Sequence, residues 1–127
     1  MNTILIIEDE PQIRKNIQQI LDLEGFATIT AEDGLEGLDM AEKHQPDMII
    51  CDVMMPNLDG YGLIEVLRQK PLTADIPFIF LTAKAENNDL RQGMELGADD
   101  YLIKPFKADE LIRAISTRFE KRQVLTL

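Results

Sequence analysis

Five short apolar runs recur along the chain, and each is followed by a longer stretch in which apolar residues return every three or four positions. Ile4-Leu5-Ile6-Ile7 is the first run. Behind it, Ile13, Ile17, Ile20 and Leu21 fall at the i, i+4, i+7, i+8 spacing of one helix face between Pro11 and Glu24. Pro11 suits the first helical turn and Gly25 the C-terminal cap. Phe26 to Ala31 is a more polar run, as an edge strand would be. Asp33-Gly34 then opens a helix carrying Leu35, Leu38 and Ala41, which Pro46 ends.

Asp47 to Cys51 predicts the third strand, and the loop from Met55 to Gly60 leads into a helix bearing Leu63, Ile64, Val66 and Leu67. Pro77 to Leu81 predicts the fourth strand, with a helix from Glu86 to Leu96 closed by Gly97. Tyr101-Leu102-Ile103 is the fifth strand, and a final helix carries Leu111, Ile112, Ala114, Ile115 and Phe119. Continuous apolar runs, rather than alternating ones, are what a parallel sheet covered on both faces requires. Strict alternation of strand and helix makes the fold class α/β, a doubly wound parallel sheet.

A length of 127 residues and 45% hydrophobic content fit one domain with one real core. The stretch 121–127 follows a long helix without punctuation, as the end of that helix or the start of a linker.

The charge changes the picture further: 13 Lys and Arg against 23 Asp and Glu give −10 at pH 7. Such a field repels nucleic acid and anionic lipid and favours cations or a basic partner patch. One cysteine, Cys51, allows no internal disulfide, and with only His44 beside it no Cys/His zinc site can be assembled. Cys51 lies inside an apolar run and reads as inert core, His44 as a surface or capping residue. The N-terminus has no basic leader and only four consecutive apolar residues, so the chain is expected to be cytoplasmic.

Candidate chemistry collects at the strand ends. In open α/β sheets, ligands bind beyond the carboxyl ends of the strands. The first predicted strand ends in Glu8-Asp9-Glu10, the third in Asp52, the fourth in Thr82 and the fifth in Lys104-Pro105. Taken singly, Glu8, Asp9 or Asp52 is as readily a solvated loop residue or a helix cap, a lone Thr is more often structural, and a lone Lys is usually a solvated surface charge. Their joint occurrence on four strand ends points elsewhere. Clustered carboxylates repel one another unless a cation joins them, and Mg2+ takes one or two carboxylates together with waters and a phosphate oxygen. With the metal held by Asp9 and Asp52, an Asp52 oxygen can attack a phosphoryl donor and form an acyl phosphate. Lys104, the metal, and the Thr82 hydroxyl or a backbone N–H would then share the three equatorial oxygens.

Other phosphate motifs fail. Gly60-Tyr61-Gly62 opens a G-x-G pattern, but it follows a loop and is broken at Ile64 and Glu65, and no P-loop sequence occurs.

The stretches ILIIEDEP, IICDVMMPNLDG, PFIFLTAKA and GADDYLIKPF resemble, in order and spacing, the motifs of two-component response regulator receiver domains over residues 1–120. The resemblance implies a flavodoxin-like (βα)5 fold with strand order 2-1-3-4-5. It implies that Asp52 accepts phosphate from a sensor histidine kinase or a histidine phosphotransfer protein. Asp9 and Asp52 would bind Mg2+, with Mn2+ as a substitute, while Glu8 assists through water and the Met54 carbonyl completes the ligands. Lys104, Thr82 and the backbone of Ala83 would contact the phosphoryl group. Thr82 and Tyr101 would act as switch residues, and the bond before Pro105 would be cis. Met54 and Lys84 occupy the two positions that tune water attack on the phosphoryl group, and neither offers an amide or carboxylate to orient it.

Leu90 and Ala114 replace basic residues that many transcription-factor receivers carry on their fourth and fifth helices, which counts against their salt-bridged style of dimer. Monomer and phosphorylation-dependent dimer both stay open, as does the output partner.

The reading is therefore a signalling switch that modifies only itself, relaying its state through the fourth helix, fifth strand and fifth helix. A phosphohydrolase with an aspartyl nucleophile is the enzymatic alternative, but it needs a second Asp two places after the nucleophile, where Met54 stands. A phosphate-independent interaction module on the same fold is the other. A flavin carrier would need a hydroxyl-rich phosphate loop that is absent.

Overall fold

The computed structural model describes residues 2–83 and 87–126, excepting the side chains of residues 87–89 and 122–126. Strands and helices alternate throughout: β1 (Thr3–Ile7), α1 (Pro11–Leu23), β2 (Ala27–Ala31), α2 (Gly34–His44), β3 (Met48–Asp52), α3 (Gly60–Gln69), β4 (Phe78–Thr82), α4 (Asn87–Glu95), β5 (Asp100–Ile103) and α5 (Ala108–Thr126). The five strands form one parallel sheet in the order β2-β1-β3-β4-β5. This is the flavodoxin-like (βα)5 arrangement, whose strand order reverses between β1 and β3.

The run-like strands are buried on both faces. Every residue of β3 and β4 is buried, whereas β2 and β5, at the two edges, are mostly half-buried. Alternate side chains feed two cores. Leu5, Ile7, Ile49, Cys51, Phe78 and Phe80 pack with Leu63, Ile64 and Leu67 of α3. Ile4, Ile6, Ile50, Ile79 and Leu81 pack on the other face with Ile17 and Leu21 of α1 and with Leu111 and Ile115 of α5.

Helix ends follow local chemistry. Pro11 opens α1, and Gly25, just beyond its end, takes φ 91°. Asp33 and Asp59 cap α2 and α3 by accepting from the N–H groups of Glu36 and Gly62.

The inner face of α2 departs from the expected one. Leu35 is 55% exposed, and Gly34, Gly37 and Ala41 face inward instead. The reason is steric: a Cβ on Gly37 would stand 2.6 Å from Ile7 Cδ1, and one on Gly34 only 1.9 Å from the Leu58 carbonyl oxygen. α2 therefore sits close to the sheet and to the β3–α3 loop. Among the described residues no helix is long and apolar enough to cross a membrane.

Candidate functional site

Parallel register assembles the site. Ile7 pairs with Cys51, so the next residues, Glu8 and Asp52, emerge side by side from adjacent strands. Asp52 pairs with Leu81 and Thr82 with Ile103, which brings Thr82 and Lys104 to the same edge from the other side. The Lys104 N–H donates to the Thr82 carbonyl at 2.8 Å. The peptide between Lys104 and Pro105 is cis.

Three carboxylates meet here: one oxygen from each of Glu8, Asp9 and Asp52 lies within 4.8 Å of the others. Glu8 is fully buried and Asp52 is 7% exposed. Removing carboxylates from water beside one another costs free energy unless a cation is close. The protein's own cation is Lys104, whose Nζ lies 2.7 Å from Glu8 Oε1 and 3.3 Å from Asp52 Oδ2.

That ammonium does not fully offset the burial. Desolvation raises the Glu8 carboxyl to about 7, with Asp52 adding to the rise and the hydrogen bond from Lys104 opposing it. Burial works against the charge on Lys104, but its bond to Glu8 and the charges of Asp52 and Glu8 outweigh it, so its pKa is raised. The charged ammonium is the form the site selects.

The site therefore combines hard oxygen donors, an excess of negative charge and one fixed ammonium. Those oxygens suit a small divalent cation. The ammonium beside Asp52 suits an anion delivered to that same carboxylate.

Thr82 is buried at 4% exposure. It lines a small apolar pocket with Val53, Tyr61, Phe80, Gly93 and Tyr101, so the two expected switch residues border one space. Tyr101 is half-buried and Ala83 exposed. Met54 is 61% exposed on the β3–α3 loop, and Lys84 lies outside the described residues. Cys51 is buried, and desolvation pushes its thiol well above the ordinary range, which makes it inert. His44 is exposed in the last turn of α2.

Two contributors carried no signal in the linear pattern. Arg14 Nη1 donates to the Glu8 carbonyl at 2.8 Å. Asn57 Nδ2 donates to Asp33 Oδ2 at 2.9 Å, fastening the β3–α3 loop to the cap of α2. The first depends on the path of a side chain back across the β1–α1 turn, and the second joins residues 24 apart whose proximity follows only from the tertiary fold.

Residues 4–116 match the family described as the response regulator receiver domain. A probable transcriptional regulator, ycf27, of Guillardia theta is 44% identical over 121 residues, covering 93% of this chain and 46% of that protein. The chain thus spans about half the length of the curated relatives it matches. Among solved structures, the receiver domain of the Francisella response regulator 1452 superposes with a TM-score of 0.90 at 33% identity, covering 96% of this chain and 99% of that one. The receiver domain of the sensor histidine kinase PA1611 from Pseudomonas aeruginosa, solved with a magnesium ion coordinated in its active-site cleft, gives a TM-score of 0.82 at 35% identity, over 88% and 92% of the two chains.

Proposed function

Because the chain belongs to the response regulator receiver domain family, we propose that Asp52 is its phosphoacceptor and that Mg2+ is the cation its acidic cluster takes. The observation that carries this reading is the convergence of Glu8, Asp9 and Asp52 around a common point with Lys104 already paired to Asp52. As a member of that family it is a phosphorelay switch that transfers phosphate to its own aspartate and releases it again, with no turnover of an outside substrate.

An Asp52 carboxylate oxygen attacks the phosphorus of a phosphohistidine on a sensor kinase or a histidine phosphotransfer protein. The P–N bond breaks, its electron pair stays on the ring, which is already protonated on its other nitrogen and so leaves as neutral imidazole, and an acyl phosphate remains on Asp52. Bound Mg2+ would supply charge neutralisation for the transferring group and its acceptor. Asp9 and Asp52 would hold it directly, Glu8 through water, with the Met54 carbonyl as a further ligand; Mn2+ fits the same donors. Lys104 pairs with a phosphoryl oxygen, since its ammonium already stands beside Asp52. The Thr82 hydroxyl and the Ala83 N–H complete the cradle, and Thr82 and Tyr101 carry the change toward α4, β5 and α5. This protein works in the cytoplasm, and its output is a partner protein or domain at that face; transcriptional control, the role named for ycf27, is one such output.

Intact mass after incubation with Mg2+ and acetyl phosphate tests the reading. One added phosphate that is lost in Asp52→Asn supports it. No adduct on the folded protein would point to a phosphate-independent module, and steady release of phosphate from added phosphomonoesters to a hydrolase.

A further inference from the structure

Arg14 stands in the first turn of α1, six residues beyond Glu8, and its side chain is only 16% exposed. One guanidinium nitrogen donates to the Glu8 carbonyl at 2.8 Å, while the other lies 3.6 Å from Glu32 Oε1 in the β2–α2 loop. The Arg14 N–H donates to the Glu10 carbonyl, so the side chain is mounted on a regular helical turn.

The Glu8 carbonyl and the Asp9 N–H belong to one planar peptide unit. Holding that carbonyl fixes the plane from which the Asp9 side chain departs. On the other side of Glu8, its N–H donates to the Ala31 carbonyl at 3.1 Å. Both peptide planes flanking Glu8 are thereby held, and with them the directions in which Glu8 and Asp9 project. An ammonium on a flexible stem in place of the planar guanidinium would hold these acceptors without the fixed geometry of the fork.

We propose that Arg14 is a positioning residue for the cation site: by clamping the Glu8 carbonyl it aims the two β1-derived carboxylates at the point where Asp52 meets them. The proposal rests on the functional reading above. It also opposes simple electrostatics, which gives it a sign to test. A fixed positive charge near three carboxylates lowers cation affinity by Coulomb repulsion, so removing it should tighten Mg2+ binding if charge alone matters. If Arg14 positions the ligands, removal should weaken binding, by about tenfold for a residue that orients metal ligands from behind.

The experiment is calorimetric titration of the full chain with Mg2+, comparing wild type, Arg14→Gln, Arg14→Lys and Glu32→Gln. Amide hydrogen exchange of the metal-free proteins accompanies it. The expected result is about tenfold weaker binding in Arg14→Gln, partial recovery in Arg14→Lys, and little change in Glu32→Gln. Exchange should be faster at Asp9 and Glu10 in Arg14→Gln, with Leu21 in the core unchanged. Unchanged or tighter Mg2+ binding in Arg14→Gln would overturn the proposal while leaving the cation site intact. A wild type that binds no Mg2+ would instead remove the functional reading and this inference with it. Should Arg14→Gln fail to fold, Arg14→Lys decides the matter: it keeps the charge, so wild-type affinity with wild-type exchange at Asp9 and Glu10 would be equally fatal.

Discussion

Two residues beyond Asp52 the chain carries Met54, 61% exposed and without a polar atom able to orient water. An acyl phosphate on Asp52 would then face a water molecule that this side chain does nothing to place, and hydrolysis loses the benefit of a positioned nucleophile. Purified phosphoprotein should keep its label for minutes or longer, and Met54→Asn should shorten that lifetime several-fold. Decay within seconds in the wild type, followed by radiolabel or mass, would contradict this. A second prediction at this scale concerns Gly34, where a Cβ would stand 1.9 Å from the Leu58 carbonyl oxygen. The obstacle is backbone and cannot swing aside. Gly34→Ala should cost about 3 kcal/mol, at the upper end of ordinary overpacking penalties, read as a lower urea midpoint with an unchanged slope.

The same contact makes α2 and the β3–α3 loop one mechanical unit. Asp33 caps α2 through the Glu36 N–H and receives the Asn57 amide, so the loop that carries Met54 is tied to a helix end. These bonds, the Glu36 N–H first and Asn57 second, hold the Asp33 carboxyl below its ordinary value. In the unfolded chain that carboxyl binds its proton at a higher pH than in the fold. Its contribution to stability is therefore present in full above the unfolded value of 3.8 and is lost as pH falls through the lower folded value. Asn at this position still caps but does not titrate, so the stability difference between wild type and Asp33→Asn should move in favour of the variant as pH falls below 3.8. Urea midpoints across that range check it, and parallel curves would refute it. At the element scale the sequence was most legible where a pattern is local. Apolar runs, Pro11, Gly25 and Asp33 each act within a turn or two, and strands, helix starts and caps fell where they point. Leu35 misled because an apolar residue next to a helix cap carries no record of which side the loop will approach. The four strand-end positions could be named because topology alone brings strand ends together. The ion pair between Lys104 and Glu8, 96 residues apart in the chain, depends on the register of three strands, and the Arg14 clamp on the path of a side chain, so neither leaves a mark in the linear pattern.

For the molecule as a whole, the net charge of −10 is unevenly distributed in its consequences. Most acids are free to keep their distance in water, but Glu8, Asp9 and Asp52 are held together by the sheet, with one ammonium to serve three carboxylates. Among the described residues that ammonium has two ion pairs, to Glu8 and Asp52 and not to Asp9. Asp9 thus adds repulsion that this ammonium does not offset by a direct pair, a local instability of the kind functional sites retain. Replacing it by Asn should raise metal-free stability by about 1 kcal/mol, the size of one partly screened like-charge contact. With the cation present the order should reverse. A ligand at a hundredfold excess over its Kd adds about 2.7 kcal/mol to the fold that binds it. For a domain of this size that is a rise of roughly 10 °C in Tm, which a variant lacking the Asp9 carboxylate would not share. Thermal denaturation of wild type and Asp9→Asn, with chelator and then with saturating Mg2+, should give curves that exchange rank. If Asp9→Asn were the less stable protein in chelator, the acidic cluster would be stabilising the fold rather than waiting for a cation. A Mg2+-dependent rise of equal size in both proteins would place the cation away from Asp9.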